Sequence, residues 1–184
     1  MAALEQLREQ LPEPARDLKL NLQSVLQGGA LNDDQRWGVA VASAIAARQP
    51  DLRDAMLAEA TLHVSRAVLE DAQAAAALMA MNNVFYRFRH LIERPSYAEK
   101  PARLRMNRLA KTAGAKVDFE LFCLAVSAIH NCPACVVSHE HAVIAGGLTE
   151  DHVHDAIRIA SVVSGAALGL ELGALPPVVV ETAG

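Results

Sequence analysis

Aromatic side chains are scarce in this chain: one Trp, two Tyr and four Phe, 4% of 184 residues. Yet 52% of the residues are hydrophobic, so small and aliphatic side chains, above all Ala, carry the apolar mass. That composition suits closely packed helices and supplies few of the residues that strands favour. Three cysteines, an odd number, do not make a secreted disulfide scaffold. A net charge of −4 with both signs scattered leaves no basic patch for nucleic acid. No uncharged apolar run reaches the roughly 18 residues that read as a bilayer span. The N-terminus lacks the basic start, apolar centre and small-residue cleavage site of a secretory leader. A chain of this length buries roughly 70% of its unfolded surface and needs neither disulfide nor metal to fold. The expectation is a cytoplasmic, all-α protein of one domain, residues 1–184.

Helix punctuation is frequent. Leu11-Pro12-Glu13-Pro14 opens a segment running to about Leu26, before Gly28-Gly29. Asn32, with Gln35 three residues on, caps a helix that continues to about Arg48 and is stopped by Pro50. Asp51 is the expected cap of the next helix, to about His63. An Ala-rich helix follows over 67–92 and ends before Pro95; a shorter one over 101–110 opens with Pro101. Asp118 is expected to cap a largely buried helix, with Val117 and Phe122 as a hydrophobic staple. A break at His130-Asn131 leads into a helix from Cys132 to Ala145, closed by Gly146-Gly147. Thr149 caps the last long helix, with Leu148 and Val153 as its staple. The tail from Pro176 is too short to classify.

Two segments share a helix–break–helix–helix pattern, approximately 31–92 and 118–175. Ser43-Ala44-Ile45 recurs as Ser127-Ala128-Ile129, and Glu70-Asp71 as Glu150-Asp151. If these are repeats, only the second carries chemistry, because Arg48 and Asp51 stand where it has Cys132 and Cys135.

The segment Asn131-Cys-Pro-Ala-Cys-Val-Val-Ser-His-Glu-His141 concentrates the reactive groups. Unpaired amides and the helix dipole at a helix start stabilise a thiolate. The Cys-x-x-Cys spacing lets two sulfurs interconvert between dithiol and disulfide with little backbone motion. Pro133 fits the first helical position if Cys132 is the cap. His139, four residues after Cys135, shares its helix face and suits proton transfer. Were the break near 131 to reverse the chain, Glu120 would reach His139 and orient its imidazole. Taken singly, Glu120 is also an ordinary helix-end carboxylate, Cys123 a small core residue, and Glu140, His141, His152 and His154 surface residues. Cys132, Cys135, His139 and His141 make a zinc site conceivable, but on a helix His141 points about 200° away from His139.

The pattern Glu120-x11-Cys132-x2-Cys135-x3-His139 resembles the alkyl hydroperoxidase D (AhpD) branch of the carboxymuconolactone decarboxylase-like superfamily. DLKLNLQSVL from Asp17, MNNVFYR at 81–87, LRMN at 104–107 and FELFCLAVSAI from Phe119 extend the likeness over nearly the whole chain. The resemblance implies an all-α, two-repeat fold, a homotrimer, and thiol-dependent reduction of alkyl hydroperoxides. It further implies reduction by a dihydrolipoyl group on a dihydrolipoamide acyltransferase, and electron delivery to the peroxiredoxin alkyl hydroperoxide reductase C. In that scheme Cys135 attacks the peroxide and becomes a sulfenic acid. Cys132 donates a proton and then resolves it as the Cys132–Cys135 disulfide, while His139 and Glu120 relay the proton. Helix-terminus physics alone favours Cys132 as the more acidic thiol. Mycobacterial members carry a His directly before the second cysteine; here Ala134 stands there, so a relay through it must run elsewhere, with His130 nearby. No tightly bound cofactor or metal is expected. The alternatives are a non-redox lyase resembling the superfamily's decarboxylases, and a zinc-bearing interaction module.

Overall fold

The computed structural model describes residues 2–176 and contains helices and no strand among them. In chain order the helices are α1 (Ala2–Glu9), α2 (Arg16–Val25), α3 (Asp33–Ala47), α4 (Pro50–Ala60) and α5 (Arg66–Ile92). They continue with α6 (Pro95–Ala98), α7 (Lys116–Ile129), α8 (Pro133–Ala145) and α9 (Glu150–Gly173). Short 3-10 turns lie at Glu13–Ala15 and Asn107–Ala110. The expected all-α architecture is what the chain adopts.

The centre is the pair α3 and α7, each buried over most of its surface. α5 and α9 flank both, α4 and α8 pack on α3 and α7 respectively, and α1 and α2 lie outside against α4 and α9. α3–α4–α5 and α7–α8–α9 therefore follow the same order around the two central helices. By length and composition α9 is apolar enough to cross a membrane, even though charges interrupt it. Here its buried residues, including Ile159 and Val163, join the core beside α3.

Several boundaries follow from the expected local chemistry. Asn32 Oδ1 accepts from the Gln35 amide at 2.9 Å, and Gln35 Oε1 accepts from the Asn32 amide at 3.1 Å, a complete capping box for α3. α3 ends at Arg48, in the left-handed region at φ 62°. Thr149 occupies the cap position of α9 with acidic residues in the first turn. Its backbone N–H is satisfied by His152 Nδ1 at 3.3 Å.

Other expectations are corrected. Gln49, not Asp51, caps α4: its side-chain oxygen accepts from the Leu52 amide at 2.6 Å, and Pro50 takes the first position. Asp118 does not cap α7, which starts a turn earlier after Ala115, so Val117 and Phe122 are not a staple. Asp118 instead accepts from Gln35 Nε2 at 2.9 Å, tying the start of α7 to the capping box of α3. The segment expected from Leu11 to Leu26 is a 3-10 turn followed by α2, and α1 was not anticipated.

No helix forms over 101–110 beyond the 3-10 turn. A ten-residue helix is marginal on its own, and buried Asp71 draws this segment across α5 instead. Its carboxylate accepts from the Ala113 amide at 2.9 Å, the Gly114 amide at 2.7 Å and Arg108 at 2.7 Å. Beyond Pro176, the expected tail lies outside the described residues.

One contact sets how closely the central helices approach. A Cβ placed on Gly38 of α3 would lie 2.0 Å from Cζ of Phe122 on α7. Gly38→Ala adds about 1 kcal/mol of helix propensity, yet overpacking against a rigid buried ring costs about 1–3 kcal/mol. Chemical denaturation should find the variant net destabilised, and Gly38→Ala with Phe122→Leu should recover part of the loss.

A candidate redox site at the start of helix α8

α7 ends at His130, and Asn131 adopts φ 52°, the left-handed region that Asn tolerates better than most side chains. The Cys132 amide then donates back to the Ser127 carbonyl at 3.1 Å, closing the reversal. Cys132 becomes the cap of α8 with Pro133 at its first position, where a missing N–H costs nothing. Cys132 and Cys135 are joined as a disulfide, with Cα atoms 5.3 Å apart. Cys132 is fully buried, whereas Cys135 keeps 6% of its surface exposed.

The reversal lays α8 back along α7 and brings His139 to Glu120. Nδ1 of His139 and Oε2 of Glu120 are 2.6 Å apart, and both side chains are 13% exposed. The other Glu120 oxygen pairs with Lys116, four residues earlier on α7. Burial pushes the Glu120 carboxyl upward. The hydrogen bonds from His139 and Lys116 and their charges outweigh it, so the group sits below its ordinary value. An ionised Glu120 accepts the proton on Nδ1 and so fixes the tautomer in which Nε2 is the free base. Nε2 lies 3.2 Å from Sδ of Met79 on α5; a thioether carries no proton to donate, so this contact leaves the Nε2 lone pair without a hydrogen bond.

Cys123 is wholly buried, and burial raises its thiol well above the ordinary range, so it is an inert core residue. His130 does not face the Glu120–His139 pair. Asn83 Nδ2 lies 3.2 Å from its Nδ1, the Ser127 hydroxyl donates to Asn83 Oδ1 at 3.1 Å, and Arg87 donates to its carbonyl. His141 is 76% exposed, and His154 is also exposed; His152 is half-buried at the start of α9. Cys132 and Cys135 are bonded to each other, so the four candidate zinc ligands do not converge. Among the described residues no group of three or more His, Cys, Asp or Glu is placed to hold a metal ion.

Sequence reasoning missed Lys116 and Met79. The four-residue spacing from Lys116 to Glu120 was a readable signal. Nothing in the sequence marks Met79, whose approach depends on how α5 crosses α8.

Comparison with known proteins places this geometry. Residues 95–170 match the carboxymuconolactone decarboxylase family model. "Alkyl hydroperoxide reductase AhpD" of Anaeromyxobacter dehalogenans strain 2CP-C is 66% identical over 172 residues, covering 94% of this chain and 92% of that protein. The Solibacter usitatus protein of that name is 51% identical over 94% of this chain and 98% of its own length. That of Bradyrhizobium sp. strain BTAi1 is 44% identical over 94% and 96%. The chain belongs to the AhpD family. Its helices are thus an AhpD-like fold, with the Cys-x-x-Cys pair in the second half of the chain.

The electrostatics of α7 carry a pH signature. Glu120 is held below its ordinary value, so its contribution is present above the unfolded-state carboxylate range and is lost as pH falls through the lower folded value. Asp118 is raised, by burial first and against the Gln35 hydrogen bond. Its ionised form therefore costs stability at neutral pH, and protonation relieves that cost. Chemical denaturation of Glu120→Gln should show a loss against the parent at pH 7 that shrinks toward pH 3. The raised group predicts the opposite trend for Asp118→Asn. A Glu120→Gln difference that grows on acidification would contradict the assigned ion pairing.

Proposed function

We propose that the protein is an antioxidant, thiol-dependent alkyl hydroperoxide reductase whose redox pair is Cys132 and Cys135. The observation that carries this reading is the buried Cys132–Cys135 disulfide at a helix start, one turn from a histidine that is hydrogen-bonded to a carboxylate. The names of its relatives point the same way.

In the reduced protein, Cys135 lies within the first turn of α8, where unpaired amides favour its thiolate. Nε2 of His139, oriented by Glu120, takes up the Cys135 proton, and Lys116 steadies the carboxylate behind it. The thiolate attacks one peroxide oxygen: the S–O bond forms, the O–O bond breaks, and the departing alkoxide takes a proton from Cys132 to leave as the alcohol. Cys135 is then a sulfenic acid. The Cys132 thiolate attacks its sulfur, the disulfide forms, and water leaves with a proton returned by His139. Cys135 is the more exposed residue of the two, which suits its role as the first to meet substrate.

Two electrons from a dihydrolipoyl group on an acyltransferase reopen the disulfide and leave a lipoyl disulfide. The same dithiol can deliver electrons to the peroxiredoxin alkyl hydroperoxide reductase C. With Ala134 between the cysteines, the relay rests on His139 and Glu120 alone, so electron delivery is the more important role. We infer a cytoplasmic location, because the pair must be reduced in every cycle. We also infer a homotrimer. The exposed Phe88 and Leu91, one turn apart on α5, supply apolar surface for contacts between copies.

Cys132→Ser and Cys135→Ser should each abolish lipoamide-coupled hydroperoxide turnover, measured as peroxide-dependent consumption of dihydrolipoamide. Full activity in either variant would contradict the proposal, as a lyase without need of the cysteines would predict. Thiol titration in denaturant should count three thiols in the reduced protein and one, Cys123, after one equivalent of hydroperoxide.

A further inference from the structure

A cavity of about 480 Å³ lies between the C-terminal ends of α3 and α7 and the middle of α5, and the chemistry above makes no use of it. Ala46, Ala80, Val84 and Ile129 form its apolar wall, and the guanidinium-bearing Arg48 and Arg87 line it with them. Neither arginine forms an ion pair with a carboxylate among the described residues. Glu171, in the adjoining groove, shares that groove with Arg48 but makes no salt bridge to it. Arg87 donates to the His130 carbonyl at 2.5 Å, which fixes its position and leaves its other N–H groups for a ligand. His130 is held below its ordinary value by burial first and then by Arg48 and Arg87, while bonds to the Ala46 and Met79 backbone oppose the shift. The positive potential in the cavity therefore comes from the two guanidiniums.

A cation at a helix C-terminus is commonly there to satisfy the last carbonyls. Arg87 does this for α7. That role does not require a second, unpaired guanidinium on the same cavity, nor an apolar wall beside it. A planar guanidinium fits a carboxylate in a bidentate manner. The volume lies within the range of small-molecule sites, which combine apolar walls with a few polar groups.

We propose that this cavity binds the carboxylate head of a small amphiphilic acid through Arg48 and Arg87, with the alkyl chain along Ala46, Ala80, Val84 and Ile129. Asn131 lines the cavity and immediately precedes Cys132, so the bound acid lies beside the redox segment.

The binding claim is tested without turnover. The full-length oxidised protein is titrated calorimetrically with octanoate, and with 1-octanol as the neutral control. Saturable octanoate binding is expected, at least about tenfold tighter than octanol and weakened about tenfold or more in Arg48→Gln and in Arg87→Gln. The Arg48 side chain holds no hydrogen bond among the described residues, its backbone N–H alone donating to the Ile45 carbonyl at 3.2 Å, so its variant remains informative if Arg87→Gln is unstable. Absence of octanoate binding, equal affinity for octanol, or affinity unchanged in Arg48→Gln would overturn the site. So would Arg48→Gln altering only the oligomeric state, which would make the cavity a contact between copies. Octanoate binding without any peroxidase activity would retain the site and reject the enzyme; peroxidase activity without octanoate binding would do the reverse.

Discussion

Asn131 sets the geometry on which the site depends. Its left-handed backbone turns α7 into α8 within three residues, and the Cys132 amide closes the turn on the Ser127 carbonyl. The turn makes Cys132 a helix cap and sets Cys135 in the first helical turn. It also folds α8 back along α7, so that a carboxylate nineteen positions before His139 meets its imidazole. A residue that resists positive φ at this point would disturb the sulfur pair and the Glu120–His139 contact together.

The surrounding polar groups hold that geometry by local pairing. Glu120 is balanced between Lys116 on its own helix and His139 on the next, so its charge is tolerated at low exposure. Asp71 gathers two backbone amides and Arg108, fixing the segment that delivers the chain to the start of α7. Gln35 completes the capping box of α3 while donating to Asp118, and Gly38 lets Phe122 settle against the same helix. The start of α7, and with it Glu120, is thus pinned to both α3 and α5. Glu120 sits on α7, one of the two most heavily buried helices, and the less buried α8 carries the Cys132–Cys135 pair and His139 against it.

Much of this was legible because local signals and tertiary demands coincide. The Asn32–Gln35 box, the stop of α3 near Arg48 ahead of Pro50, the Cys132-Pro133 start and the four-residue step from Cys135 to His139 are all short-range patterns that the fold leaves intact. The readings failed where a distant partner overrode a local preference. Asp118 looks like a cap, but Gln35 engages it from another helix and α7 begins earlier. Residues 101–110 look helical, but Asp71 takes the amides that follow them. Met79 shows no local sign of its role, because its sulfur reaches His139 only through the crossing of α5 and α8. Lys116 was readable, since its spacing to Glu120 is that of a helical ion pair.

The central claim is that Cys135, activated by the Glu120–His139 pair, meets the peroxide first. It is tested most directly in Cys132→Ser, where the sulfenic acid cannot be resolved. That protein is treated with one equivalent of alkyl hydroperoxide in the presence of dimedone and mapped by mass spectrometry. The account predicts a dimedone adduct on Cys135, absent from Cys123 and strongly slowed by Glu120→Gln. No adduct on Cys135, or faster labelling of Cys132 in the reciprocal Cys135→Ser protein, would contradict it.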